Sequence, residues 1–289
     1  SNSKMLSSEL STLIGGRYHE IYVQSLSYQE FLLFHELEDN DDALSKYINY
    51  GGLPGLKQVG LDDEEFVWDY IRAVFHTVML KDIVERNNIR NVSFLNTLLR
   101  YFADTIGKLS SLNNISKFMK SQGLDVSVKS IAAYLNYFRD AYLLLTVDRF
   151  DIHGKKLLES NEKIYFGDVG LRNLIAGGER QGDIEKILEN IVYQQLVRMG
   201  YAVSVGQLRA GEVDFVCTKS NERLYVQVAY LIASEETEER EFGSLDNIKD
   251  NYPKYVISMT PLVRRSDRQG VVHLGLREFL KNGFEKKLP

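Results

Sequence analysis

The pattern of apolar residues over the first 90 positions predicts helices joined by short polar or glycine-rich segments. Ser27-Tyr28-Gln29-Glu30 has the spacing of a capping box, which would begin a helix at Tyr28. The glycine-rich stretch from Tyr50 to Gly55 predicts a loop. The predicted elements are a helix over residues 4–14, a strand over 18–23, a helix over 28–37, an acidic turn at 39–42 and a long helix over 64–86. We assign residues 1–90 to a first, mainly helical domain.

Residues 91–178 form the second predicted domain, with three helices followed by a β-hairpin. Ser127 precedes the third helix as a predicted N-cap, and Ser110 or Ser111 does the same for the second helix. The predicted buried stripe of the third helix is Val128, Ile131, Ala132, Leu135 and Phe138. Strands are predicted over 143–150 and 163–166, with a polar loop over 151–160. Three helices and a two-stranded wing are typical of a winged helix-turn-helix.

Residues 179–289 form the third predicted domain, in which helices and strands alternate. The predicted elements are a helix over 184–199, strands over 202–206, 212–217 and 224–230, a helix over 234–248, a strand over 255–259, and a strand and helix between 271 and 281. This order predicts a three-layer, restriction-endonuclease-like α/β domain. The expected fold class is therefore multidomain, mainly α and then α/β.

Composition narrows the possible partners. The chain has 289 residues, a formal net charge of -5 and one cysteine, Cys217. Any nucleic-acid contact must then come from a local basic patch, because the surface as a whole is not basic. A lone cysteine suits a reducing cytoplasm, and no apolar run reaches the length of about 18 residues that spans a membrane. We expect a cytoplasmic protein without a membrane segment.

Two consecutive strands carry the candidate chemistry. Glu212 and Asp214 lie two residues apart and share one face of their strand, and Glu189 lies on the helix before it. Carboxylates so placed are typical of metal-dependent nucleases, which also need a glutamate and a lysine on the next strand. Gln227 and Ala229 occupy those two positions. The sequence therefore predicts a degenerate site of Glu189, Asp214 and Gln227 that does not cut DNA and contains no metal.

Two alternatives to this interpretation stay open. Residual metal binding without catalysis is one of them. In the other, the carboxylates are simply polar positions on a half-exposed strand, and Gln227 makes a hydrogen bond across the sheet.

Candidate DNA contacts lie in the second domain. The third helix carries polar side chains largely off its buried stripe, and the wing loop carries two adjacent lysines. These candidates are Lys129, Ser130, Asn136, Tyr137, Lys155 and Lys156. Winged helices also serve as protein-interaction modules, and the tyrosines could instead pack against a neighbouring domain.

Several ordered motifs together resemble one protein family. They are Ser1 to Leu6, Gly16-Arg17-Tyr18, Ser25 to Phe31, Tyr50 to Pro54, Lys163 to Arg172, Glu189-Asn190 and Glu212 to Phe215. This set resembles the second half of an archaeal-type AAA-superfamily P-loop ATPase that ends in a domain of unknown function with a nuclease-like fold. The resemblance covers essentially the whole chain.

The resemblance implies that residues 1–90 are the remnant of an ATPase domain with its helical lid region. It places Ser1 and Asn2 in a nucleotide-sensor region and puts the Walker motifs upstream, so the chain is expected to be a fragment. ATP and Mg²⁺ are then expected for the intact protein, and no cofactor for this chain.

Three functions remain candidates from the sequence. The first is a regulatory, DNA-associated region of an ATPase whose nuclease-like domain is inactive. The others are a metal-dependent DNA nuclease that uses a repositioned base, and a protein-interaction module. Self-association is also expected if the face of Leu6, Leu10 and Leu13 is left bare.

Overall fold

A computed structural model describes residues 21–178, 181–209, 211–261 and 266–285. The predicted helix over 4–14 and the sensor positions Ser1 and Asn2 lie outside these residues. The described residues divide into two compact units. Unit 1 comprises residues 21–26, 49–146 and 164–178, and unit 2 comprises residues 27–48, 147–163 and the described residues from 181 onward. The predicted domain boundaries after residues 90 and 178 stay predictions.

The α-helices of the described residues, in chain order, are α1 (Tyr28–His35), α2 (Asp41–Tyr50), α3 (Leu56–Val59), α4 (Glu64–Thr77), α5 (Val92–Asp104), α6 (Leu112–Ser121), α7 (Val128–Asp140), α8 (Val169–Ala176), α9 (Ile184–Arg198), α10 (Glu235–Asp246) and α11 (Leu276–Asn282). A π-helix, Val78–Glu85, follows α4, and a 3₁₀ turn, Gln181–Asp183, precedes α9. The strands are β1 (Leu109–Ser110), β2 (Leu144–Asp151), β3 (Lys156–Phe166), β4 (Ala202–Gln207), β5 (Glu212–Lys219), β6 (Glu222–Ala229), β7 (Lys254–Ser258), β8 (Ser266–Arg268) and β9 (Val271–Gly275).

Side-chain caps fix the starts of several helices, as the sequence predicts. The Ser27 hydroxyl accepts from the Glu30 backbone N–H at 3.2 Å, and the Glu30 carboxylate accepts from the Ser27 N–H at 2.7 Å. The hydroxyl groups of Ser111 and Ser127 cap α6 and α7 by accepting from the backbone N–H groups of Asn114 and Ser130. Each cap satisfies a backbone donor that the helix itself leaves open, a contribution of about 1 kcal/mol.

The predicted fold class, mainly α and then α/β, is wrong. The described strands form a nine-stranded mixed sheet in the order β1-β3-β2-β4-β5-β6-β7-β9-β8, so the fold is α/β. The hairpin predicted as a separate wing is part of this sheet, because β2 pairs in parallel with β4 from Arg149 opposite Val205 to Asp151 opposite Gln207. Its strands extend through most of the predicted polar loop over 151–160. Burial of Val147 gives the hairpin an apolar side that a solvent-exposed wing would lack.

Smaller corrections concern the first 90 residues. The acidic turn at 39–42 instead leads into α2, because the Asn40 side chain caps Ala43 at 2.9 Å and acidic residues are favourable in a first turn. The long helix over 64–86 changes to π geometry after Thr77. Residues 21–23 of the predicted strand over 18–23 are not in a strand.

In unit 2, helices cover both faces of the sheet. Tyr193 of α9 packs against Phe215 of β5, with ring centroids 6.1 Å apart. The neighbouring Val216 belongs instead to a buried cluster with Phe242 and Leu245 of α10. Because adjacent strand residues point to opposite faces, α9 and α10 lie on opposite sides. Strands β6, β7 and β9 run parallel, so their carboxyl ends lie at one end of the sheet.

In unit 1, the loop before α3 is bound to the start of α8. Asp168 is buried and accepts hydrogen bonds from the backbone N–H groups of Gly52 and Gly170, each at 2.9 Å. Burial raises the pKa of Asp168, although these backbone hydrogen bonds act in the opposite direction. Gly51 has a positive φ of 74°, and a Cβ added there would lie 2.3 Å from Asp168 Oδ1. No side chain other than hydrogen fits at this contact.

We expect Gly51→Ala to lower the free energy of unfolding by about 2 to 5 kcal/mol, from backbone strain and displacement of Asp168. The matched control is Gly177→Ala, where φ is 87° and ψ is 33°, in the left-handed helical region, but a new Cβ meets no atom within 4 Å. That change should cost only about 1 kcal/mol. Chemical denaturation measures both, and equal losses would show that the contact with Asp168 contributes nothing.

Candidate functional site

Lys163 lies at the centre of a cluster of carboxylates in unit 2. Its side chain is fully buried, at 0% exposure, on β3. The ammonium nitrogen lies 2.8 Å from Glu189 Oε1, 2.8 Å from Glu212 Oε1 and 3.4 Å from Asp214 Oδ1. Two elements thus supply the carboxylates that surround one cation: α9 supplies Glu189, and β5 supplies the other two. We call these four residues the carboxylate cluster.

A second lysine reaches the cluster from the first turns of α9. Lys186 Nζ lies 2.7 Å from Glu189 Oε2, so both oxygens of the Glu189 carboxylate are bound to ammonium groups. Three carboxylates and two ammonium groups leave one net negative charge when all are ionised. The cluster is therefore nearly neutralised by side chains of the protein itself.

A β-bulge places Asp214 in the cluster. The register of β4 and β5 shifts between Ser204 and Gly206, and the regular pairing of β5 with β6 stops at Phe215 opposite Val226. Side chains then replace the missing ladder bonds. The Asp214 N–H donates to Gln227 Oε1 at 3.2 Å, and the Val228 N–H donates to Asp214 Oδ2 at 2.9 Å.

Gln227 joins the cluster to a further buried carboxylate that the sequence analysis did not single out. Its amide nitrogen donates to Glu241 Oε2 at 3.1 Å, and Arg240 binds Glu241 Oε1 at 2.7 Å. The Gln227 amide thus accepts at one end and donates at the other. A glutamate at this position could accept from Asp214 N–H, but its charge would face Glu241.

Burial and charge shift the pKa values of the cluster. Burial, reinforced by the charge of Glu189, raises the pKa of Asp214 to about 7, although Lys163 and Lys186 lower it. Burial alone would raise the pKa of Glu189, but the two lysines hold it below the usual value. Burial opposes ionisation of Lys163, yet the surrounding carboxylates raise its pKa. A proton taken up near neutral pH therefore goes to Asp214.

The donor set does not fit a divalent cation in this arrangement. Both oxygens of Glu189 and both of Asp214 already accept hydrogen bonds, and two ammonium groups repel a further cation. Among the described residues, no group of three or more His, Cys, Asp or Glu side chains is arranged to hold a metal ion.

Of the residues predicted for the site, Glu189, Asp214 and Gln227 do meet in unit 2. The sequence pattern does not identify Lys163, because the nuclease motif places its lysine on the strand that carries Ala229. The available signal was a lysine directly before Ile164-Tyr165-Phe166, a run of buried apolar residues. A charged side chain in such a context needs a partner.

The predicted DNA-contact residues divide between the two units. Lys129 and Asn136 are exposed on α7 in unit 1, and Lys155 and Lys156 are exposed at the β2–β3 turn in unit 2. Ser130 is partly occupied by the α7 cap, since its hydroxyl lies 2.9 Å from that of Ser127. Tyr137 packs edge-on against Tyr134, with ring centroids 6.0 Å apart. Of the four residues predicted to contact DNA from α7, only Lys129 and Asn136 are thus exposed.

Comparisons with known proteins identify similar sequences but do not indicate an activity. Residues 41–182 match a family described as a domain of unknown function (DUF8612). An uncharacterized protein of Haemophilus influenzae is 37% identical over 262 residues, which cover 89% of this chain and 64% of the relative. An uncharacterized protein of Methanocaldococcus jannaschii is 29% identical over 267 residues, or 86% of this chain and 58% of the relative. The chain thus spans less than two thirds of the length of these curated relatives.

None of the described helices combines the length and the hydrophobicity needed to cross a membrane.

We expect the stability of the wild type to fall, relative to Asp214→Asn, as pH rises from 5 to 7. The folded pKa of Asp214 lies near 7 and the unfolded value near 4, so the folded state binds more protons in this window. The difference should change by about 2 kcal/mol, because one pKa unit corresponds to about 1.4 kcal/mol. Urea denaturation of both proteins at each pH measures it. A difference that is constant with pH would mean that Asp214 is already ionised at pH 5.

We expect Gln227→Glu to destabilise unit 2 by about 1 to 3 kcal/mol at neutral pH, because it loses a donor and places a charge beside buried Glu241. The double change Gln227→Glu/Glu241→Gln restores one donor and one acceptor between these positions. It should recover most of the loss in a double-mutant cycle of unfolding free energies. Additive losses would show that the two side chains do not interact.

Proposed function

We propose that this chain is the C-terminal region of a longer ATP-binding protein of the AAA superfamily, that it associates with DNA, and that its carboxylate cluster is not a hydrolytic centre. ATP and Mg²⁺ would bind upstream of this chain, which contains no G-x-x-x-x-G-K-[ST] motif. The greater length of both relatives is compatible with an additional domain. The ordered motifs from Ser1 to Phe215 support the assignment to this family.

The contact of Lys163 with all three carboxylates is the observation that carries the last part of the proposal, that the cluster is not a hydrolytic centre. A metal-dependent nuclease needs its carboxylate oxygens free to hold a cation that stabilises charge in the transition state. Here the ammonium group of Lys163 occupies the space between the carboxylates, and it compensates the buried charges of Glu189 and Asp214. The cluster then stabilises the packing of β3, α9 and β5 and does not catalyse a reaction.

A metal-dependent nuclease is the second candidate function, and one feature of the cluster favours it. The lysine of the nuclease motif is missing at position 229, but Lys163 from another strand places an ammonium group beside Glu189. Glu241 in turn places a carboxylate beside Gln227. All the side-chain types that this chemistry needs therefore lie in one region of unit 2. For this function, Lys163 would have to leave the carboxylates and release their oxygens.

We expect Lys163→Met to lower the free energy of unfolding by about 3 to 5 kcal/mol, because three carboxylates lose a shared buried partner. Mn²⁺ should raise the melting temperature of this variant by replacing the lost charge, and should leave that of the wild type unchanged. The control is Lys120→Met, which removes an exposed pair with Asp125 and should cost at most about 1 kcal/mol.

The same proteins separate the two functions when they are incubated with plasmid DNA and Mn²⁺. The proposal predicts no cleavage by the wild type. Cleavage by the wild type that disappears in both Lys163→Met and Asp214→Ala would establish the nuclease and overturn the proposal.

A further inference from the structure

One end of the sheet in unit 2 brings several loops together. Asp151, Gln207 and Glu212 face one another on the adjacent strands β2, β4 and β5. Strand β6 is antiparallel to β5, so it ends at Ala229 on the same side where β5 begins. The carboxylate cluster is therefore flanked by the β2–β3 turn, by the loop between β4 and β5, and by the chain that follows β6. In α/β sheets, ligands bind outside the carboxyl ends of the strands.

Hydrogen bonds hold the backbone of the β2–β3 turn, which carries Lys155 and leads into Lys156, in a defined conformation. Asp151 Oδ1 accepts hydrogen bonds from the backbone N–H groups of His153 at 3.1 Å and Gly154 at 2.9 Å. Ile152 continues the pairing with β4 through its N–H and the Gln207 carbonyl at 3.2 Å. The turn is thus bound to β4 on one side and closed on itself at the tip.

The two neighbouring loops are basic although the chain is acidic. Residues 152–157 and 208–211 contain Lys155, Lys156 and Arg209 and no acidic residue, whereas the net charge of the whole chain is -5. All three side chains are exposed. Ile152 and Leu208 belong to the same buried cluster, which places the two loops side by side. A local concentration of cations on an acidic protein favours a polyanion at this position.

An exposed aromatic residue lies at the same end of the sheet. Tyr230 follows β6 directly and is 41% exposed, and its carbonyl accepts from the Met259 N–H at 2.9 Å. The strand spacing puts it about 15 Å from β2, three strands away. Basic loops next to an exposed ring are the combination with which proteins hold the phosphates and stack the bases of a nucleic-acid strand.

We propose that unit 2 binds the phosphodiester backbone of a nucleic acid at this end of the sheet, through Lys155, Lys156 and Arg209, with Tyr230 as a stacking surface. This inference rests on the proposed association with DNA, and it places the contact on unit 2 instead of on the predicted winged helix. The backbone would pass beside the carboxylate cluster in unit 2, and α7 of unit 1 would make no essential contact. Cationic loops and no groove-reading helix predict binding without sequence preference.

Fluorescence anisotropy with labelled 30-mer duplex and single-stranded DNA, over a salt series, tests this inference. We expect the triple change Lys155→Gln/Lys156→Gln/Arg209→Gln to weaken binding at least tenfold and to remove most of the salt dependence, because the affinity of a basic surface depends on the counterions that it releases. Tyr230→Ala should weaken binding of single strands more than binding of duplex. The control is Lys129→Gln/Asn136→Ala on α7, and thermal melting confirms that each variant is folded.

Each outcome bears on a different claim. Loss of binding in the loop variant together with an unaffected α7 variant supports the inference. Binding that survives in the loop variant and is lost in the α7 variant overturns the inference but keeps the association with DNA. A wild type without salt-dependent binding overturns the association with DNA itself, and with it the inference.

Discussion

The burial of one ammonium group among three carboxylates is the constraint on which unit 2 depends. Lys163 loses its contact with water completely, and such a charge is tolerated only if its partners compensate it closely. The partners come from α9 and β5, so that β3, α9 and β5 must take up one relative arrangement. Removing the Lys163 charge leaves the buried carboxylate of Asp214 without its ammonium contact. The cluster can therefore specify the packing of unit 2, even though apolar replacements of buried ion pairs are often equally stabilising.

The same contacts explain why the carboxylates of Glu189 and Asp214 do not form an open metal site in this arrangement. Asp214 is held by a β-bulge, by the Val228 N–H and by Gln227, and Glu189 is held between two lysines. These hydrogen bonds use the oxygens that a cation would need. Gln227 suits this position because its amide accepts from the Asp214 N–H and donates to the Glu241 carboxylate at once. A carboxylate could accept but could not donate.

Local features of this chain could be predicted from the sequence, and contacts distant in sequence could not. The caps at Ser27, Ser111 and Ser127 depend on three or four neighbouring residues, so their spacing was enough. Glu189 and Asp214 lie in one region, and only β4 separates their elements α9 and β5 in the chain. The pairing of Arg149 with Val205 was missed, since no local pattern shows which strand a hairpin will join. Without that pairing, the local pattern of the hairpin predicts a separate wing. Lys163 is then only the first residue of a predicted strand.

The most direct test of this account is the location of Mn²⁺ in crystals of the wild-type chain soaked in a manganese salt, measured by anomalous scattering. The account predicts no anomalous peak at the cluster, with Lys163 Nζ still in contact with Glu189, Glu212 and Asp214. A manganese peak bound to Glu189 and Asp214, with the Lys163 side chain displaced from them, would contradict it. That result would show the cluster to be a metal site that Lys163 occupies only when the metal is absent.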